Sequence, residues 1–153
     1  MNRALVAGFT LLAVLAGPYA GRAADWPGFH RTPELTGFSP DRLPTNLVRR
    51  WVFKTGGPVR SSPAITGDLV LTGSDDGSVY AIGLQSGALA WSHKAADAVE
   101  SSPCVAGGVV YVGAGDGTLL ALEAAGGRPR WTYKTGGKIT GGDRIRQAHR
   151  MPR

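Results

Sequence analysis

Two patterns of apolar residues divide this chain. The first is one uninterrupted block, ALVAGFTLLAVLAG at residues 4–17, with no charge inside it. The second is a series of short runs: LVLTG (69–73), SVYAI (78–82), VVYVG (109–113) and TLLAL (118–122). These runs are rich in β-branched and aromatic residues and are bounded by Gly, Asp and Ser, which predicts strands. Asp76-Gly77 and Asp116-Gly117 stand between consecutive runs, as the central pair of a type I′ hairpin turn would. Gly67-Asp68 and Gly107-Gly108 predict a turn before each pair, and Ser86-Gly87 and Gly126-Gly127 a turn after it. Short strands are expected at 62–66 (SPAIT) and 102–106 (SPCVA). There Pro63 and Pro103 precede the ladder, a place where a missing N–H is tolerated. Further strands should carry Trp91 and Trp131, and NLVRRWVF (46–53) reads as the first strand. Outside residues 4–17 no segment has the period or length of a helix.

The strand pattern recurs. Trp51, Trp91 and Trp131 are 40 residues apart, and the units 51–90 and 91–130 align without a gap. Trp, Lys, Val, Ser-Ser-Pro, Asp-Gly, Ala (Ala81 and Ala121) and Gly (Gly87 and Gly127) fall in register. A third unit opens at 131–142 and stops. Four short antiparallel strands per repeat, each closed by a tight turn, describe a propeller blade. The expected fold is therefore all-β: a partial β-propeller of two four-stranded antiparallel blades plus fragments of flanking blades, over residues 47–142. One such unit cannot bury its own apolar face, so about three or more are needed for stability.

The apolar block and the termini change the picture of where this fold works. Residues 1–23 read as a secretory signal peptide: a short basic start, the apolar run, and Gly21-Arg22-Ala23 ahead of a cut after Ala23. The run falls short of the ~20 residues of a membrane span, so a periplasmic or secreted protein with no span after cleavage is expected. Residues 24–46 are a lead-in with Pro27, Pro33, Pro40 and Pro44, irregular by composition, whose Trp26 and Phe29 should pack down. Residues 143–153 (DRIRQAHRMPR) lose the apolar alternation. They are expected to be a disordered basic tail or the product of a frameshift in a longer repeat.

Charge then excludes a class of partner. The formal net charge is +6, but Arg3 and Arg22 lie in the leader, and Arg144, Arg146, Arg150 and Arg153 face only Asp143 in the tail. Residues 24–142 carry +1. A nucleic-acid surface needs a basic face on the folded part, so no nucleic-acid partner is expected. Cys104 is the only cysteine, stands where Ala64 stands in the first unit, and reads as a small buried filler.

Several residues imitate chemical motifs. Gly113, Gly115 and Gly117 follow an apolar strand, but the third glycine is one place early for a dinucleotide turn and no helix follows. Asp75, Asp76 and Asp116 supply too few alternating oxygens for a calcium loop. TGGK (135–138) lacks the spacing of a phosphate loop. His30, His93 and His149 are scattered, and the repeated Ser61-Ser62 and Ser101-Ser102 have no recurring His and carboxylate. No catalytic or metal residue is assigned.

AIGLQSGALAW (81–91) and ALEAAGGRPRW (121–131) resemble the tryptophan-docking stretch of the pyrroloquinoline-quinone (PQQ)-like β-propeller repeat family, roughly Ala-x-Asp-x-x-Thr-Gly-Lys-x-x-Trp. DWPGF (25–29) is similar to the opening of secreted members. The resemblance implies that each Trp packs between neighbouring blades. Gly83 and Glu123 replace the family's Asp, and Ser86 and Gly126 its Thr, so weaker turn ties are expected, most of all in the second copy. The resemblance implies two kinds of function. Quinone-dependent dehydrogenases of this fold bind PQQ and calcium with residues from many blades, an Asp base and adjacent cysteines. Other relatives are binding scaffolds, including a subunit of outer-membrane barrel assembly. The expectation for this chain is an exported, non-catalytic repeat module, or a truncated copy of one, without a cofactor. The alternative is an N-terminal fragment of a PQQ-dependent alcohol or sugar dehydrogenase. The protein or small-molecule partner is left open, and a chain this short could also assemble as a homo-oligomer.

Overall fold

The computed structural model describes residues 25–29 and 45–140. The signal peptide, most of the lead-in and the 143–153 tail lie outside the described residues.

Among the described residues, eight strands form two separate four-stranded sheets. The first contains β1 (Ala64–Thr66), β2 (Leu69–Gly73), β3 (Ser78–Gly83) and β4 (Leu89–Lys94). The second contains β5 (Cys104–Ala106), β6 (Val109–Gly113), β7 (Thr118–Glu123) and β8 (Pro129–Lys134). Each sheet is an antiparallel meander in chain order, so the all-β propeller architecture read from the sequence is the one observed. The sheets share their irregularities. Each slips register once, between Ala81 and Ile82 and between Ala121 and Leu122, just where Trp91 and Trp131 enter the outer strand.

Side chains alternate between the faces of a strand, and that alternation builds the core. One apolar cluster joins Ala64, Leu71, Val79, Ala81 and Trp91 of the first sheet to Val110, Val112, Leu120 and Leu122 of the second, with Val99 from the connector. The sheets therefore stack face to face. The opposite face of the second sheet carries a smaller cluster of Val109, Tyr111, Leu119, Ala121 and Ile139, with Cys104 and Ala106 packed against it. Cys104 is half-buried there rather than sunk in the core.

The expected strand at 46–53 does not form: residues 47–54 join no ladder among the described residues. Its sequence suits a strand, yet a strand needs a hydrogen-bonded neighbour, and both β3 and β7 are already paired on each side. The hairpin turns also differ from a two-residue Asp-Gly loop. Gly77 N–H donates to Ser74 O and Gly117 N–H to Ala114 O, each at 3.0 Å, so the bonded turns are Ser74–Gly77 and Ala114–Gly117. The glycine ends the turn with φ of +81° or +83°, the position a glycine takes when it follows a turn of ordinary hand. In the lead-in, Trp26 pairs with Ile65 of β1 through bonds of 2.9 and 2.7 Å. Phe29, expected to pack down, is instead exposed.

Candidate functional site

The recurring polar residues converge on one end of the sheets, where the β2–β3 and β6–β7 hairpins meet the connectors that lead from strand to strand. Asp76 sits at the centre of the first hairpin. Its Oδ1 accepts Ser78 N–H at 2.8 Å, and its Oδ2 accepts Tyr80 O–H at 2.8 Å and Gly56 N–H at 2.7 Å. One carboxylate thus ties its own turn, its own strand and the incoming connector. Burial pushes its pKa up, but the hydrogen bonds from Tyr80, Ser78, Ser74 and Gly56 outweigh burial and hold it at about 2. Asp116 repeats the turn tie through Thr118 N–H at 2.9 Å and adds Lys134 Nζ at 2.6 Å and Thr118 Oγ1 at 2.8 Å. Lys134, followed by the Thr118 bonds, lowers its pKa to about 2. Asp75 is engaged differently, with Arg60 Nε donating to Oδ2 at 2.8 Å.

The serine pairs serve the same framework. Ser61 Oγ accepts Gly73 N–H at 2.9 Å, and Ser101 Oγ accepts Gly113 N–H at 2.7 Å, pinning the start of each blade to its second strand. The second serine works between blades: Ser102 Oγ accepts Ser62 N–H at 2.9 Å. Pro63 and Pro103 stand just ahead of β1 and β5.

At the other end the tryptophans dock. Trp51 Nε1 donates to Leu84 O, and Trp91 Nε1 to Ala124 O, both at 2.9 Å across a separation of 33 residues. Each indole lies on the turn of the following blade, over a glycine. A Cβ on Gly87 would come within 2.5 Å of Trp51, and one on Gly127 within 2.4 Å of Trp91. The turns themselves are held by backbone: Gly87 N–H to Gly83 O and Gly127 N–H to Glu123 O, both 2.8 Å. Ser86 Oγ adds a bond to Ala88 N–H at 3.2 Å, where Gly126 has no side chain to do so. Trp131 has no such turn beneath it among the described residues. It is 42% exposed against 9% for Trp91, and tilts against Tyr111 at 5.9 Å.

The carboxylates do not assemble a metal centre: among the described residues no group of three or more His, Cys, Asp or Glu converges. Asp76 and Asp116 accept hydrogen bonds at both oxygens. His93 lies in β4, while His30 and His149 lie outside the described residues. The described residues therefore do not by themselves fit a calcium-bound quinone. Sequence reasoning missed the inter-blade work of Ser102 and the connector work of Asp76. The 40-residue recurrence of both positions was the available signal.

A family model described as outer membrane protein assembly factor BamB, of the PQQ-like repeat type, matches residues 44–151. The chain belongs to that family. The PQQ-like resemblance carried by the docking stretches is thereby borne out. No curated protein matches the chain. Among solved structures, BamB from Moraxella catarrhalis is similar at 27% identity and a TM-score of 0.51, over 56% of this chain and 26% of that one. Quinohemoprotein alcohol dehydrogenase from Comamonas testosteroni is similar at 25% identity and 0.61, over 76% and 20%. A quinohemoprotein alcohol dehydrogenase from Pseudomonas putida HK5 is similar at 25% identity and 0.63, over 72% and 19%. The chain thus spans about a quarter or less of the family members it matches in structure. Among the described residues no helix is long and apolar enough to cross a membrane.

Proposed function

We propose that this chain is an exported, non-catalytic segment of a PQQ-like β-propeller that serves as a binding or assembly scaffold, with no quinone, calcium or nucleic acid of its own. The observation that carries this reading is how its carboxylates are employed. Asp76 joins a turn, a strand and a connector, and Asp116 a turn and an outer strand, which leaves neither free to act as a base or ligand. The matched family description, an outer-membrane protein assembly factor, agrees with a role in holding other proteins. The signal-peptide pattern at 1–23 agrees with export.

A second reading, the N-terminal part of a quinone-dependent alcohol or sugar dehydrogenase, is favoured by the likeness to two quinohemoprotein alcohol dehydrogenases over 72–76% of this chain. Two measurements separate the readings. The purified chain is equilibrated with PQQ and calcium, passed over a desalting column, and assayed for retained quinone and alcohol-dependent dye reduction. The coding DNA beyond the codon for Gly142 is read in all three frames. The scaffold reading expects no retained quinone and no adjacent-cysteine pair or carboxylate cluster in any blades that resume. Stoichiometric quinone, or those residues downstream, would replace it with the dehydrogenase.

A further inference from the structure

The DWPGF stretch at 25–29 belongs to neither blade, yet it bonds to both. It meets them at β1 and β5, the strands that approach each other where the two sheets converge. Each is a three-residue strand on the edge of its sheet. In an antiparallel ladder successive residues turn their N–H and C=O groups to opposite sides. Ala64 and Thr66 lie at the ends of the β1 pairing with β2, and Ile65 between them exchanges its bonds with Trp26 instead. Ile65 is therefore the residue of β1 whose backbone faces away from β2. Val105 holds the same place in β5, exactly one 40-residue period later.

The lead-in takes both outward amides with consecutive carbonyls. Ile65 N–H donates to Trp26 O at 2.7 Å, and Val105 N–H donates to Pro27 O at 2.6 Å. Trp26 N–H returns a bond to Ile65 O at 2.9 Å, which completes an antiparallel pair with the first blade. Adjacent carbonyls that serve opposite neighbours place the segment between β1 and β5.

The sequence suits that place. A proline biases the residue before it toward extended backbone, so Pro27 favours the conformation that Trp26 needs for its pair. Pro27 itself has no N–H, so it accepts from the second blade and donates nothing to it. Asp25 adds a third tie on the first blade: its Oδ1 accepts Gly67 N–H, in the turn after β1, at 2.9 Å. The segment is thus held by three bonds on the first blade and one on the second.

We infer that residues 25–27 are a latch between the blades: one extended segment, seated between β1 and β5, that fills the outward amide of each and makes the two edges open together. An uncovered edge strand is a template for a foreign strand. The latch gives both edges to the chain's own lead-in, so a partner strand reaches Ile65 or Val105 by displacing residues 25–27. The inference holds whether the assembled propeller is a scaffold or an enzyme.

Amide hydrogen exchange on the full chain tests it. Ile65 and Val105 should exchange slowly and at rates within about threefold of each other. Asp25→Ala combined with Trp26→Gly alters the two residues that bond Gly67 and Ile65 of the first blade. Val105, in the second blade, should still exchange about tenfold faster or more, in step with Ile65, while Leu71 and Val112 keep their rates. Faster exchange at Ile65 with Val105 unmoved would overturn the inference, as would rapid exchange at both in the unaltered chain. Asp25→Ala alone, at an exposed position, decides the matter if the double variant also speeds Leu71 and Val112. It should speed Gly67, Ile65 and Val105 together by about threefold. A response confined to Gly67 would sink the latch.

Discussion

Gly87 and Gly127 meet two demands that mutation can separate. Both have φ of +69°, where an L side chain is strained, and both lie beneath an indole. Gly67 has φ of +55° with nothing within 4 Å of a built Cβ. Gly67→Ala should therefore cost only the backbone strain, about 1 kcal/mol. Gly87→Ala or Gly127→Ala should cost a further ~1–3 kcal/mol by pushing Trp51 or Trp91 off its turn. Urea midpoints of the three variants check this, and equal losses would show that the indole contact carries no energy. The aspartates make a pH prediction. Asp76 and Asp116 are held at about 2 against an ordinary 3.8. A depressed carboxylate contributes stability above its unfolded pKa and loses it as pH falls through the folded value, here between about pH 4 and pH 2. Asp76→Asn should flatten part of that fall in denaturant titrations across the window, and an unchanged slope would exclude Asp76 as its source. That both aspartates lie in hairpin turns was legible from Asp-Gly alone, although the bonded turns end on the glycine instead of centring on the pair. Their bonds to Gly56 and Lys134 were not, because a residue's long-range partner is decided by packing.

At the scale of elements, β2 and β6 were legible to the residue, because short β-branched runs between glycines leave the chain few alternatives. Residues 46–53 misled for the opposite reason: propensity names a strand-former, but only a neighbour makes a strand. A second element-level feature needs both copies side by side. The connector has Gly57 in the first unit and Asp97 in the second, while the hairpin has Asp75 in the first and Gly115 in the second. A Cβ on Gly115 would sit 2.7 Å from Asp97 Oδ2. Each unit thus admits one carboxylate at this junction, from one side or the other. Gly115→Asp should destabilise the chain by about 1–2 kcal/mol through crowding and like charge, and adding Asp97→Gly should recover part of that. A double-mutant cycle measures the coupling, and strict additivity would mean the exchange of sides is coincidental.

At the scale of the whole molecule, stability rests on stacking, and stacking is directional: each blade sends its tryptophan forward to the turn of the next. Trp51 and Trp91 find that turn, and Trp131 projects from an outer strand exposed along its whole length. The three residues were indistinguishable by sequence, since the 40-residue period assigns them one role. What separates them is position in the array, a property of the assembly rather than of the motif. Truncation should expose the difference. Trp91→Ala removes a buried indole and its hydrogen bond, and should cost about 3–5 kcal/mol. Trp131→Ala should cost well under half as much, because the ring is 42% exposed and leaves no closed cavity. If a further blade is supplied and docks, the cost of Trp131→Ala should rise toward that of Trp91→Ala. Denaturant unfolding of both variants, with and without added blades, reads out this change. A Trp131→Ala cost that stays low once the next blade is in place would show that the third tryptophan has left the docking scheme.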